Sequence, residues 1–162
     1  AIRLARPAVP TIYEEEYGFE IGKAVTLLDG KDVTIIATGI MVAESLQAAK
    51  ILAQEGISVH LLDMHTIKPL DEEAVIKAAR DTGGIVTVED ASIIGGLGGA
   101  VAEIVVENCL VPMKRVGIKD RFGQTGSPEE LKLEYEMSAP HIAKASREVI
   151  LSKKATHSKR AK

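Results

Sequence analysis

The chain has 162 residues and a mass of 17.3 kDa, a single-domain length that buries roughly 70% of the unfolded chain's surface. It is 46% hydrophobic and 27% charged, which excludes a disordered chain, and no apolar run approaches the ~20 residues of a bilayer span. Aromatic residues make up only 3% and Trp is absent, against the stacking platforms of single-strand nucleic-acid binders. The formal charge of −3 is too small to define a partner.

Cys109 is the one cysteine. It cannot form an internal disulfide or a cysteine zinc cage, and it suits a reducing, cytoplasmic compartment. Lys153, Lys154, Lys159, Arg160 and Lys162 crowd the carboxyl end without an acid among them; residues 152–162 read as a solvated, disordered basic tail. The opening run from Ala1 to Pro10 lacks a charged segment followed by an apolar core and is not a signal peptide. Residues 1–20 carry neither helical nor alternating spacing and read as a linker leaving a preceding domain, so the chain reads as a piece of something longer or a processed product.

From residue 21 to about 151 strands alternate with helices. Lys23 to Leu28 can add an edge strand. Val33 to Thr38 is a short β-branched run bounded by Asp32 and Gly39, as a buried strand should be. Val42, Leu46, Ala49 and Ala53 then recur at helical spacing, with Gly56 placed to end the helix. Ile57 to Asp63 is the next strand. Asp71 caps a helix carrying Val75, Ala78 and Ala79, stopped by Gly83 and Gly84. Ile85 to Glu89 is a third strand, followed by a glycine-rich loop and a helix from about Gly99 to Asn108. Met113 to Ile118 is a fourth. Ser127 and Pro128 open a short helix as N-cap and first residue, and Ile142, Ala145, Val149 and Ile150 mark the last one. The alternation predicts an α/β fold: a mainly parallel sheet of about five strands with helices on both faces.

Ligands of such sheets sit at the carboxyl ends of the strands. The first strand–helix turn has the single Gly39 and no dinucleotide fingerprint. Gly95, Gly96, Gly98 and Gly99 form a glycine-rich loop before the third helix, a candidate anion site through its backbone amides. Close packing of helix on sheet is the alternative, favoured because no P-loop Lys-Ser/Thr and no acidic ribose partner accompany the loop. His60, His65, His141 and His157 have no metal-pair spacing, so no metal site is expected. His65 alone sits at a strand's carboxyl end. Glu89 and Asp90 pair two carboxylates at another, where capping or loop hydrogen bonding competes with acid–base chemistry. Ser92 lacks a nucleophile elbow, and Cys109 follows a helix carboxyl end, the wrong end for activating a thiol. These residues alone define no catalytic constellation.

Gly22-Lys-Ala-Val, Asp32 to Gly39, Thr66-Ile-Lys-Pro-Leu-Asp71 and Val88-Glu-Asp90 with Gly95-Gly-Leu-Gly98 follow one another in order. They are joined by Asp120-Arg-Phe-Gly123 and Gly126-Ser-Pro-Glu-Glu-Leu131. In that order they resemble the C-terminal domain of transketolases, over residues 1 to about 151. The same superfamily holds 1-deoxy-D-xylulose-5-phosphate synthase, whose equivalent domain is the alternative, and the leader Leu4 to Pro10 favours transketolase of the split type. The resemblance implies part of a transferase that uses thiamine diphosphate and Mg²⁺ to move a two-carbon ketol unit between sugar phosphates. It implies as partners the N-terminal and pyrimidine-binding portions and a second subunit in a homodimer, with neither nucleic acid nor membrane. The family's diphosphate and magnesium motif and its activating glutamate belong to portions that this sequence does not contain, so the isolated chain is expected to be inactive. Arg6 matches an arginine that binds the substrate phosphate. Ala91 departs from the pattern, standing where many members carry His.

Overall fold

The computed structural model describes residues 1–5, 8–13 and 17–160, with side chains to residue 155 in the last helix. In chain order the elements are β1 (Val25–Leu28), β2 (Val33–Ala37), α1 (Met41–Gln54), β3 (Val59–Asp63), α2 (Glu72–Thr82) and β4 (Ile85–Ser92). They continue with α3 (Leu97–Asn108), β5 (Met113–Ile118), α4 (Pro128–Glu134) and α5 (Ala139–Arg160). The sheet runs in the order β1-β3-β2-β4-β5. β2, β3, β4 and β5 are parallel, and β1 is antiparallel at the edge.

β2 is buried along its whole length, which is why it reads as an unbroken β-branched run rather than an alternating one. Val33, Ile35 and Ala37 share a core with α1 and α5, among them Met41, Leu52, Ile142 and Val149. Ile36 faces the other way, with Leu62 and Ile85, onto α2 and α3 through Val75, Ala78, Leu97 and Val101. Both faces are therefore covered, as the alternation predicted. Each buried Leu, Ile or Val contributes about 1.5–3 kcal/mol against exposure.

The sheet order reverses between β2 and β4. β2 is followed by β3 on one side, whereas β4 is followed by β5 on the other. The carboxyl ends of β2 and β4 therefore form the switch point, where open α/β sheets leave a crevice.

Local sequence sets several boundaries. Asp71 accepts from the Ala74 amide at 3.1 Å, and Gly83, at φ +68°, closes the far end of α2. Ser127 and Glu130 form a reciprocal capping box at α4, with Pro128 at its first turn. Three boundaries differ from the sequence-based expectation. β3 begins at Val59, because the Ile57 amide turns back to Leu52 O at 3.0 Å and closes α1. β4 runs on to Ser92 because it pairs again with Ile118 of β5 after a register shift, and α3 starts at Leu97 through a contact described below.

The expected disordered tail is a further difference. α5 continues to Arg160, well past the last apolar residue at helical spacing. The Lys153 ammonium donates to Thr82 O at 2.9 Å and to Asp32 O, joining α5 to the carboxyl end of α2. The end of a helix presents unpaired carbonyls and partial negative charge, and a cation satisfies both.

Asp71 also accepts from the Ala24 amide at 2.9 Å through its second oxygen, tying the β1 approach to α2. Asp71→Ala should destabilise the domain by about 1–2 kcal/mol, a lost cap plus an unpaired amide. Asp71→Asn, which keeps one acceptor oxygen, should cost less. Urea unfolding of the two variants beside the parent measures both.

Candidate functional site

The glycine-rich loop follows β4 on the carboxyl side of the sheet, beside the switch point. Glu89, on β4, is 1% exposed. Its Oε2 accepts from the Leu97 amide and its Oε1 from the Gly98 amide, both at 2.8 Å. These are the first-turn amides of α3, where the helix carries partial positive charge. An external anion would need the same amides. The candidate anion cradle at Gly95, Gly96, Gly98 and Gly99 is thus occupied from within by a carboxylate of this chain.

The glycines fit this packing. A Cβ on Gly96 would lie 1.9 Å from Glu89 Oε2, and one on Gly98 would lie 2.7 Å from Arg115 Cδ and 2.9 Å from Thr87 Oγ1. Gly99 has nothing within 4 Å of that position, and Gly95 has φ +74°. Gly96 and Gly98 let the helix approach the strand, whereas Gly99 is simply a residue of the first turn. The carboxylate also explains the early start of α3, since its cap is eight residues upstream on a strand.

A second polar cluster lies at the carboxyl end of β3. Asp63 is 7% exposed, and the Tyr13 hydroxyl donates to its Oδ2 at 2.6 Å. Tyr17 stacks on Tyr13 with ring centroids 3.8 Å apart, and Phe19 lies 4.5 Å from His65. Ile12 packs against the α1/α5 core. Within the segment expected to be a linker, Ile12 and Tyr13 are therefore docked on the domain, and the exposed Tyr17 and Phe19 lie against Tyr13 and His65. His65 Nδ1 lies 2.9 Å from Thr66 Oγ1. Asp63 Oδ1 and His65 Nε2 are both buried without a hydrogen-bond partner among the described residues. Burial pushes the Asp63 carboxyl above its ordinary value, against the Tyr13 hydrogen bond and the charge of His65. Burial and the Asp63 contact together push the Tyr13 hydroxyl up as well.

The other candidates are scattered. Asp90 faces Arg3 at 3.7 Å, and Ser92 Oγ accepts from the Ile94 amide at 3.2 Å. His60 approaches Asp29 at 3.5 Å, and His141 bonds Ser138 Oγ at 2.7 Å where α5 begins. Cys109 is half-buried at the carboxyl end of α3. The side chain of His157 and all of Arg6 lie outside the described residues. Among the described residues no group of three or more His, Cys, Asp or Glu side chains could hold a metal ion. No helix among them is long and apolar enough to cross a membrane. Tyr13 and Asp63 are the contact that sequence reasoning missed; the only hint was aromatic residues in a stretch without periodicity.

Comparison with known proteins supplies what the side chains alone do not. The family described as "Transketolase, C-terminal domain" matches residues 22–142, and the chain belongs to that family. It is 51% identical, over 91% of its length and 46% of the relative's, to the 6-deoxy-6-sulfo-D-fructose transketolase subunit SqwH of Clostridium sp. (strain MSTE9). It is also 51% identical, over 88% of its length and 45% of the relative's, to a putative transketolase C-terminal section of Methanocaldococcus jannaschii. Among solved structures it is similar to a split-gene transketolase described as an inactive β4 tetramer. That match has a TM-score of 0.87 and 42% identity, covering 90% of this chain and 48% of that one. The chain spans about half the length of the curated relatives it matches.

Two outcomes follow from the geometry. Gly96→Ala should cost at least about 2 kcal/mol by driving a methyl into the Glu89 carboxylate, whereas Gly99→Ala should be neutral or stabilising by up to about 1 kcal/mol. Thermal unfolding of the pair checks this. For Asp63 the folded state holds the proton more tightly than the unfolded chain does, so its contribution is full below the ordinary carboxylate pKa. That contribution is lost as pH rises through the raised folded value. Asp63→Asn should remove this slope, seen as a parent-minus-variant stability difference that shifts toward the parent between neutral and mildly acid pH.

Proposed function

We propose that this chain is the C-terminal domain of a thiamine-diphosphate-dependent transketolase of the split type. The complete enzyme moves a two-carbon ketol unit between sugar phosphates. The observation that carries the reading is the 51% identity, over nine-tenths of the chain, to a transketolase subunit about twice as long. Residues 1–20 then join this domain to a pyrimidine-binding domain, and an N-terminal portion and a second subunit complete the enzyme in the cytoplasm.

Thiamine diphosphate, bound with Mg²⁺, supplies the stabilised carbanion in this chemistry. This chain's residues do not fit that group. The described residues offer no cluster for the metal, and Glu89 already takes the α3 amides that a diphosphate would use. The domain's part is to hold its share of the assembly and to shape the junction. Tyr13 on Asp63 and Ile12 against the core set where the leading segment leaves the sheet. The sealed amides also count against a nucleotide-binding regulatory module.

Arg6 is the residue assigned to the substrate phosphate. A charge-assisted, forked contact to a phosphate is worth roughly 1.5–3 kcal/mol and acts about equally in ground and transition states. Arg6→Ala in the complete enzyme should raise KM for phosphorylated substrates about tenfold or more, with kcat nearly unchanged and an unphosphorylated ketose unaffected. Equal loss on both kinds of donor would contradict the phosphate role. Calorimetry of the isolated chain with thiamine diphosphate and Mg²⁺ should show no saturable heat; micromolar binding would overturn the division of labour.

A further inference from the structure

The leading segment is fastened to the domain at very few points. Among the described residues of 1–20 only Ile12 and Tyr13 are half-buried, and the rest are exposed. The hold consists of Ile12 against the core, the Tyr13 hydroxyl on Asp63 Oδ2, the Phe19–His65 ring contact and an exposed Arg3–Asp90 pair at 3.7 Å. Asp63 and Glu89 are both buried carboxyl groups at strand ends, but they are compensated differently. Glu89 divides its charge between two backbone amides at a helix start. Asp63 receives one hydrogen bond, from a phenol, and its Oδ1 is buried without a partner among the described residues. An ionised carboxylate can only accept hydrogen bonds, and a buried charge left short of donors is costly. The covered position therefore suits the neutral acid and penalises the anion, which regains water once the segment lifts away.

The titratable groups that face Asp63 are Tyr13 and, stacked behind it, Tyr17 from the leading segment, and His65 after β3. β1 and β2 place Val25 and Ala37 opposite it. Glu44, the acid in the first turn of α1, is taken by Lys132 and the Ala139 amide. Glu14, Glu15 and Glu16 follow Tyr13 in sequence and lie outside the described residues. Burial outweighs the Tyr13 hydrogen bond and the His65 charge and raises the Asp63 carboxyl above its ordinary value. The Tyr13 hydroxyl, pushed up as well, keeps its proton throughout the range in which Asp63 titrates. We infer that Ile12 and Tyr13 fasten a proton-gated strap at the carboxyl end of β3, closed while Asp63 is a neutral acid and loosened when it ionises. The docked state binds the proton more tightly than the released one. Docking is therefore strongest below the ordinary carboxylate range and weakens as pH rises through the docked-state value. The strap belongs to the segment that the proposed function makes a junction, but it is read without turnover, so the two can fail separately.

Nitrogen-15 relaxation of the chain between about pH 4.5 and about pH 8 tests it, with Asp63→Asn beside the parent. In the parent, the order parameters of the Ile12 and Tyr13 amides should approach the ~0.85 of rigid backbone in acid and fall below ~0.6 as pH rises. Those of β3 should stay constant. The Asp63 carboxyl carbon shift should titrate with the same midpoint as the loss of order, which decides the matter even if the variant loses its fold. Asp63→Asn, uncharged yet able to accept from Tyr13, should keep both amides ordered over the whole range. Order that does not change with pH in the parent, a change that persists in Asp63→Asn, or an Asp63→Asn chain released at every pH would overturn the proposal.

Discussion

Glu89 gives up its water and receives two backbone amides in return, and the carboxyl side of the sheet is built around that exchange. Withdrawing a carboxylate from water costs several kcal/mol even after relaxation. Here the compensation is two charge-assisted hydrogen bonds, each about 1.5–3 kcal/mol, and the partial positive charge at the start of α3. The pairing needs the strand and the helix in contact, which is why Gly96 and Gly98 carry no side chain at the point of closest approach. It also holds the start of α3 at the core that contains Ile36, Leu62 and Ile85.

The same contact decides what this end of the sheet does. Open α/β sheets bind phosphates where helix amides meet strand ends at the switch point. In this chain the Leu97 and Gly98 amides of α3 are taken by Glu89, and Tyr13 of the leading segment bonds Asp63 at the end of β3. A sheet whose ligand-binding end is occupied by its own residues is suited to assembly. That is consistent with relatives in which the matched stretch makes up about half of a longer chain.

Much of the fold was legible because local chemistry and tertiary packing agree. β2 is a continuous β-branched run and is buried throughout; Asp71 and Gly83 bracket α2; Ser127, Pro128 and Glu130 open α4. What was not legible depends on residues far apart in sequence. Tyr13 meets Asp63 across 50 positions, and Lys153 reaches Thr82 across 71. The first docks part of an apparent linker on the domain, and the second belongs to a helix that outlasts its apolar spacing. The glycine loop was legible as two alternatives, and only the position of the Glu89 side chain separates them. Arg6 rests on family resemblance alone, since no local pattern marks it.

The carboxyl end of the sheet turns on α3 amides that Glu89 seals against outside anions. The most direct test follows the backbone amide resonances of Leu97 and Gly98 by nitrogen–proton NMR while inorganic phosphate, and separately ATP, is added to the chain. Both resonances should stay in place, apart from the small linear drift of changing ionic strength. A saturable shift of these two amides at micromolar ligand would show that the site opens to an external phosphate and that Glu89 does not seal it.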